Sequence, residues 1–235
     1  MSTDNKKVIG IIGAMESEVC MLRDKIGTAE KKTISGVDFY SGDLYGVKVV
    51  VAKCGIGKVF AAICAEAMIL NYAPDMILNV GVAGSLADDL KLKDIAIAEN
   101  LVQHDMDTSA IGDPVGLISG INIIYIPCDK TIVSSLDACA TKLGLNHKVG
   151  TIASGDCFVS DSAKKKYIVD NFSAISCEME GASIGHVCYV NNVPFGVIRA
   201  MSDNGDEEAG DNYMETLEQA SNIAMSVIDS FLQSL

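Results

Sequence analysis

Positive charge is scarce in this sequence of 235 residues. It has 18 lysines and arginines against 31 aspartates and glutamates, a formal net charge of −13, and only two arginines, Arg23 and Arg199. Because nucleic-acid binding needs a basic surface, this balance argues against DNA or RNA as a partner. The one basic cluster, residues 164–166, is typical of a solvated helix face.

Long hydrophobic runs are also lacking. The longest, such as residues 49–52 and 193–198, have the length of a strand and are far too short to span a membrane. The polar N-terminus, residues 1–7, lacks the charged, apolar and small-residue order of a secretory signal. We therefore expect a cytoplasmic protein with no membrane partner.

Cysteine and histidine are present but not in the spacing of a disulfide framework or a metal site. The eight cysteines are spread through mostly apolar stretches with no CxxC pair, which favours buried, reduced thiols. The three histidines, His104, His147 and His186, form no ligand-spaced cluster. The sequence thus predicts neither a metal nor another cofactor.

Apolar strand-like runs alternate with segments of helical period along the chain. We predict strands at residues 8–12, 37–44, 47–52, 76–80, 95–98, 121–126, 148–153, 174–178 and 194–201, and helices at 16–26, 58–70, 130–143, 161–171, 181–190 and 211–235. This order indicates one α/β domain, residues 1–235, with a central, largely parallel or mixed β-sheet flanked by helices. The aperiodic segment 104–120 is typical of a functional or interface loop.

Carboxylates follow several of the predicted strands, where ligands bind in open α/β sheets. Taken alone, Glu18 suits the start of a helix and Asp203 suits a turn. Glu178 and Glu180 would share one face of an extended segment, which is costly unless the two charges are used. Arg199 lies inside an apolar strand, so we expect it to pair with a carboxylate or a ligand.

Glycine-rich turns give weaker signals. Gly55-Ile56-Gly57-Lys58 faintly resembles a nucleotide loop, but Val59 replaces the Ser or Thr of a P-loop and no G-x-G-x-x-G is complete. Nucleoside-triphosphate and NAD binding are therefore not predicted.

Six motifs in order along the chain resemble those of the 5′-methylthioadenosine/S-adenosylhomocysteine nucleosidases, in the purine nucleoside phosphorylase-like superfamily. They are residues 9–18 (IGIIGAMESE), 55–59 (GIGKV), 154–159 (SGDCFV), 178–181 (EMEG), 186–188 (HVC) and 197–203 (VIRAMSD). The resemblance implies a nucleoside phosphorylase-like fold, a homodimer, and cleavage of the N-glycosidic bond of a small-molecule adenine nucleoside.

The resemblance also implies individual roles for the matching residues. Asp203 would donate a proton to adenine N7, and Glu18 would act on the attacking water. Glu180, with Met179, would hold the ribose hydroxyls, helped by Arg199. The other substrate contacts would be Phe158 stacking on adenine, Val159 reading its edge, Met15, Ile56 and Tyr213 lining the ribose and 5′ pocket, Ser202 beside Asp203, and Thr108 and Ile111 reaching the partner subunit's site.

The chemistry of N-glycosidic bond cleavage independently requires carboxyl groups of this kind. Breaking it builds positive charge on the sugar and negative charge on the purine, and carboxyl groups can stabilise both. A free Asp titrates near ~3.9, so the pKa of Asp203 must be raised for it to donate a proton at neutral pH.

Three alternatives stay open. A phosphate-dependent purine nucleoside phosphorylase is disfavoured because Asn79 stands where hexameric phosphorylases carry an arginine. Hydrolysis of aminodeoxyfutalosine is performed by the same architecture. A non-catalytic nucleoside-binding protein is disfavoured because all three carboxylates are present. Val82, where many relatives carry Ser, and the polar Asp113 and Ser119 leave the 5′ substituent unassigned.

Overall fold

The computed structural model describes residues 6–235, which form ten strands, six α-helices and two short 3₁₀ turns. The strands are β1 (Val8–Gly13), β2 (Glu30–Ile34), β3 (Val37–Leu44), β4 (Val47–Lys53), β5 (Met76–Ser85), β6 (Ile95–Gln103), β7 (Ile126–Pro127), β8 (His147–Ser154), β9 (Ser176–Glu178) and β10 (Phe195–Asp203). The helices are α1 (Cys20–Asp24), α2 (Lys58–Tyr72), α3 (Lys130–Lys142), α4 (Ser162–Phe172), α5 (Gly181–Asn191) and α6 (Ala209–Gln233), with 3₁₀ turns at Glu16–Glu18 and Ser109–Ile111.

All ten strands belong to one mixed sheet, in the order β10-β6-β8-β9-β5-β1-β4-β3-β2, with β7 on β6. Strand β10 also pairs with β5, so the strands β10, β6, β8, β9 and β5 form a closed ring. Strands β1, β4, β3 and β2 extend the sheet outward from β5. The β1–β4, β1–β5, β5–β10, β6–β8 and β8–β9 pairs are parallel. The β5–β9 and β6–β10 pairs are antiparallel, so β6, β8 and β9 run opposite to β1, β4, β5 and β10 where the two groups join.

Helices cover both faces of the sheet, each over its own apolar core. One core includes Ile12 on β1, Met68 on α2 and Ile184 on α5, all fully buried. The other includes Leu78 on β5 and Ile228 on α6. The near-continuous burial of β1, β5 and β10 is what sandwiched parallel strands require. The predicted fold class, α/β with a central mixed sheet flanked by helices, is confirmed.

Two predicted elements are wrong. The helix expected at 16–26 is a 3₁₀ turn followed by the short α1, because Val19 between them has φ −128°. The strand expected at 121–126 is reduced to an Ile118–Ile123 bridge and the two-residue β7. Strand β2 was not predicted, since it is a polar edge strand with no apolar face.

No helix within residues 6–235 is both long and apolar enough to cross a membrane. Residues 1–5 of the predicted domain lie outside the described residues.

Candidate active site

A cavity of about 610 Å³, part of it open to solvent, is lined by residues at or just after the carboxyl ends of β1, β5, β8, β9 and β10. Four carboxyl groups line it, those of Glu18, Glu178, Glu180 and Asp203, and none of the described lining residues is a lysine, arginine or histidine. The remaining lining residues are Ala14, Met15, Ile56, Val82, Ala83, Gly84, Cys157, Phe158, Val159, Cys177, Met179, Ser202 and Tyr213. The cavity is thus acidic at its base and apolar on its walls.

Glu18 is held by backbone donors from two strand ends. One oxygen accepts from the amides of Ala14 at 2.7 Å and Met15 at 2.9 Å, and the other from Val82 at 3.0 Å. A Cβ on Gly81 would lie 2.5 Å from this carboxylate, so the close approach requires glycine there. Burial raises the pKa of Glu18, although Arg199 and the three amides oppose the rise.

Asp203 is the last residue of β10 and also lines the cavity. Its Oδ1 accepts from the Gly205 amide at 2.9 Å, and its Oδ2 is 2.9 Å from the Ser202 hydroxyl. A Cβ on Gly84 would come within 2.6 Å of Oδ1. Burial raises the pKa of Asp203, the direction needed for a carboxyl group that donates a proton.

Glu178 and Glu180 do not share one extended segment as predicted. Strand β9 ends at Glu178, while Glu180 caps α5 with φ −134° and ψ −39°. The two carboxylates therefore have different partners, and Glu180 accepts from the Gly57 amide at 2.8 Å. Burial and the neighbouring Glu178 raise the pKa of Glu180 to about 8.

Arg199 is not among the residues that line the cavity, and its expected help in holding the ribose hydroxyls stays a prediction. Its guanidinium is fully buried and donates to the carboxylate of Glu178 and to the amide oxygen of Asn79. Ser154 also donates to Glu178. The expected carboxylate partner of Arg199 is thus present, but the pair supports the site from beneath.

The walls of the cavity bring together the predicted apolar and aromatic contacts. The rings of Phe158 and Tyr213 meet edge to face, 5.6 Å apart at 77°. The Tyr213 hydroxyl donates to the Met15 sulfur at 3.2 Å. Phe158 is 46% exposed, so one side of its ring is free to stack on a planar base. Ile56, Val159, Met179 and Ser202 complete the predicted set.

Thr108 and Ile111 lie apart from the cavity of their own chain. Thr108 donates to the Asp113 carboxylate at 2.9 Å, and Ile111 is 82% exposed on the second 3₁₀ turn. Their expected contact with a partner subunit stays a prediction.

Two residues that hold the carboxylates in place are not among the predicted site residues. Asn79 and Ser154 are buried and fix the Arg199–Glu178 pair from neighbouring strands. The available signal was an isolated polar residue within each of two apolar strands, since a buried polar group needs a partner. No cluster of three or more His, Cys, Asp or Glu suited to a metal occurs within residues 6–235.

Comparison with known proteins places this geometry in a family. The model of the phosphorylase superfamily matches residues 8–233. A mutant 5′-methylthioadenosine/S-adenosylhomocysteine nucleosidase of Helicobacter pylori, solved with 5′-methylthioadenosine in its active site, is 36% identical with a TM-score of 0.94 and covers 97% of this chain and 99% of its own. The Neisseria meningitidis nucleosidase with methylthio-immucillin-A is 32% identical, with a TM-score of 0.94 over 97% and 100% of the chains.

A structure described as futalosine hydrolase of Helicobacter pylori is equally similar. It is 36% identical, has a TM-score of 0.94, and covers 97% of this chain and 98% of its own. The chain belongs to the phosphorylase superfamily and, within it, to the family of 5′-methylthioadenosine/S-adenosylhomocysteine nucleosidases.

Proposed function

We propose that this N-glycosyl hydrolase releases adenine from 5′-methylthioadenosine and S-adenosylhomocysteine, and also from 5′-deoxyadenosine, using residues 1–235 as a single catalytic domain and no cofactor. The observation that carries the proposal is the cavity lining, which among the described residues holds four carboxyl groups and no cationic side chain. Such a site suits a sugar that becomes positive in the transition state and offers nothing to bind phosphate.

Asp203 acts on the leaving group. Its Oδ1 accepts from the Gly205 amide, and its Oδ2 carries the proton once the Ser202 hydroxyl, which donates to Oδ2, turns to the Ala83 carbonyl. As the electron pair of the glycosidic bond moves into the purine, that proton passes to N7 and adenine departs neutral. The raised pKa of Asp203 supports this role because it keeps the carboxyl group protonated at higher pH.

Glu18 acts on water at the other end of the reaction. Three backbone amides fix its carboxylate, so it needs no reorganisation when it accepts a proton. The water oxygen then forms the new bond to the anomeric carbon. One proton enters adenine from Asp203 and one leaves water to Glu18, and exchange with solvent restores both carboxyl groups.

Each of the other lining residues contacts a particular part of the substrate. Glu180, with Met179, holds the ribose hydroxyls, while Phe158 and Val159 hold adenine. Met15, Ile56 and Tyr213 form the pocket for the 5′ substituent, and Ser202 orients Asp203 through its hydroxyl.

Water is favoured over phosphate as the attacking group because the guanidinium of Arg199 is already paired with a carboxylate. Arg199 is buried against Glu178, and Asn79 is committed to Arg199 and to the Ile12 carbonyl. A phosphate in the cavity would face carboxylates without a paired cation, which is strongly unfavourable in a buried site.

The same lining bears on the 5′ substituent. A methylthio group fits beside the Met15, Ile56 and Tyr213 side chains, which are apolar or aromatic. Aminodeoxyfutalosine ends in a benzoate, and no lining residue in the described part of the chain offers it a positive charge. We therefore propose 5′-methylthioadenosine as a better substrate than aminodeoxyfutalosine, despite the similarity to a futalosine hydrolase.

A homodimer is part of the proposal. Helix α2 exposes a row of large apolar side chains, with Val59 at 70%, Phe60 at 57% and Ile63 at 40% exposure. A continuous apolar face of this kind is typical of a subunit interface. Phe60→Asp should convert the dimer to a monomer in light scattering, whereas Leu70→Asp, a residue 72% exposed near the other end of α2, serves as the comparison.

The test is chromatographic detection of adenine from 5′-methylthioadenosine, S-adenosylhomocysteine, 5′-deoxyadenosine and aminodeoxyfutalosine in phosphate-free buffer. We expect adenine from the first three and a lower kcat/KM for the fourth. No adenine from any nucleoside would refute the proposal, and a preference for aminodeoxyfutalosine would refute the assignment of the 5′ pocket.

A further inference from the structure

Three charged residues outside the cavity lining connect two segments that contribute to that lining, the turn before α2 and the loop after β8. Lys58 is the first residue of α2, Asp105 follows β6, and Asp156 follows β8. None of the three lines the cavity, and the proposed function assigns no role to them.

These residues close a ring of three hydrogen bonds. The Lys58 Nζ donates to Asp105 Oδ1 at 2.7 Å, and Asp105 Oδ2 accepts from the Asp156 amide at 2.9 Å. Asp156 Oδ1 in turn accepts from the Lys58 amide at 2.8 Å. Each bond involves a charged group and joins segments 47 to 98 residues apart in sequence, which makes the ring a strong tertiary contact.

The ion pair in the ring is partly shielded from water. The side chains of Lys58 and Asp105 are 19% and 27% exposed, so solvent and salt screen them less than an ordinary surface pair. Burial alone would raise the pKa of Asp105, but the bonds from Lys58 and Asp156 outweigh it and the pKa is lowered. Asp105 is therefore ionised at neutral pH and accepts on both oxygens.

Asp156 also completes the start of α2. The N-cap residue, Gly57, has no side chain to accept the first helical amides. Asp156 supplies that acceptor from another loop, and its negative charge suits the positive end of the helix dipole. The start of α2 thus depends on the position of the 155–159 loop.

The ring joins the two halves of the proposed substrate site. Gly57, directly before Lys58, donates its amide to Glu180 on the ribose side. Phe158, two residues after Asp156, forms the adenine side. A Cβ on Gly57 would lie 3.1 Å from Asp156 Oδ1. The turn at residues 55–57, here called the ribose turn, and the loop at residues 155–159, here called the adenine loop, are therefore in direct contact.

Within residues 6–235, no other side chain accepts a hydrogen bond from a backbone amide of the 155–159 loop. His104 packs its ring against Gly155, where a Cβ would come within 2.4 Å of it. Both ring nitrogens of His104 are buried without a hydrogen-bond partner in the described part of the chain. His104 therefore contributes packing, and Asp105 contributes the side-chain hydrogen bond to the loop.

We propose that Lys58, Asp105 and Asp156 are positioning residues that hold the adenine loop and the ribose turn at a fixed separation across the bond to be cleaved. This proposal rests on the proposed function. The transition state requires the base and the sugar to be held at once, and a displacement of ~1 Å can cost ~10²-fold in rate. Free adenine contacts only one side, so its affinity does not depend on the ring.

The experiment compares Lys58→Met, Asp105→Asn and the double variant with wild type. We expect each single variant to lower kcat about 10-fold and the double variant to lower it no further, because the ring acts as a unit. The inhibition constant of adenine should change less than about twofold. Lys58→Arg, which keeps the charge, should recover most of kcat.

Lys148→Met provides the matched control, since it removes a 2.7 Å ion pair to Asp89 away from the cavity lining. It should leave kcat unchanged. Amide hydrogen exchange of residues 155–159 should accelerate in Lys58→Met and stay unchanged in Lys148→Met, and this measurement does not require turnover.

Several results would overturn the proposal. They are a kcat within about twofold of wild type in both single variants, a parallel loss of kcat and adenine affinity, or multiplicative losses in the double variant. A wild-type protein that releases no adenine would count against the proposed function instead. In that case unchanged exchange of residues 155–159 in Lys58→Met would still overturn the positioning role.

Discussion

Replacing Asp203 with asparagine separates proton donation from every other property of that side chain. In Asp203→Asn, the amide oxygen can keep the bond from the Gly205 amide, and the new NH₂ group can donate to the Ser202 oxygen. The Ser202 hydroxyl can turn to the Ala83 carbonyl, 3.3 Å away. Each buried polar group retains a partner, so the free energy of unfolding should change by less than about 1 kcal/mol.

Asp203→Asn should therefore lower the rate of adenine release and leave the free energy of unfolding nearly unchanged. Asparagine can form a hydrogen bond to N7 but cannot transfer a proton, and loss of a general acid typically costs ~10²- to ~10⁴-fold. This corresponds to about 3–5 kcal/mol in the activation barrier. We expect kcat for adenine release to fall in that range while KM changes little.

A second substitution at the same position gives the comparison. Asp203→Ala leaves the buried Gly205 amide without its acceptor, which should lower the free energy of unfolding by about 1–3 kcal/mol. Thermal and urea unfolding of both variants, beside steady-state adenine release, separate the two effects. Near-normal turnover by a correctly folded Asp203→Asn would refute the role assigned to Asp203.

The same geometry gives four further expected outcomes. Because burial and Glu178 raise the pKa of Glu180 to about 8, kcat/KM should decline as the pH falls below about 8, and a flat profile would contradict an ionised Glu180. The same raised pKa makes the folded protein lose stability as the pH rises from 4.5 towards about 8, and Glu180→Gln should reduce that slope in urea unfolding. Arg199→Met leaves Glu178 buried without its cation and should cost about 3–5 kcal/mol in unfolding free energy; unchanged stability would disprove the supporting role of the pair. Phe158→Ala should weaken adenine inhibition about 10- to 100-fold through lost stacking, with little change in Tm because the ring is 46% exposed; unaltered inhibition would remove Phe158 from the base site.

Much of the site was predictable because parallel strands end at a common edge. Glu18 follows the apolar strand β1 and Asp203 ends the apolar strand β10, and the fold brings both to one cavity. The partner of Arg199 was not predictable in the same way. The choice between Glu178 and Glu180 depends on α5 beginning at Gly181, which turns Glu180 away from the strand.

Local hydrogen bonds explain where helical periodicity failed. Residues 16–26 carry a helical apolar pattern, yet Glu18 uses its side chain to bind the amides of Ala14 and Met15. This contact belongs to the 3₁₀ turn, and the regular helix starts only at Cys20. Strand β2 was not predicted for a different reason, since its residues pair at the sheet edge without burying an apolar face.

The central claim is that water, and not phosphate, attacks the sugar. The most direct measurement is mass spectrometry of the sugar released from 5′-methylthioadenosine, with and without added phosphate. We expect free 5-methylthioribose in both reactions, formed at the same rate. Formation of 5-methylthioribose 1-phosphate, or adenine release only when phosphate is present, would contradict it.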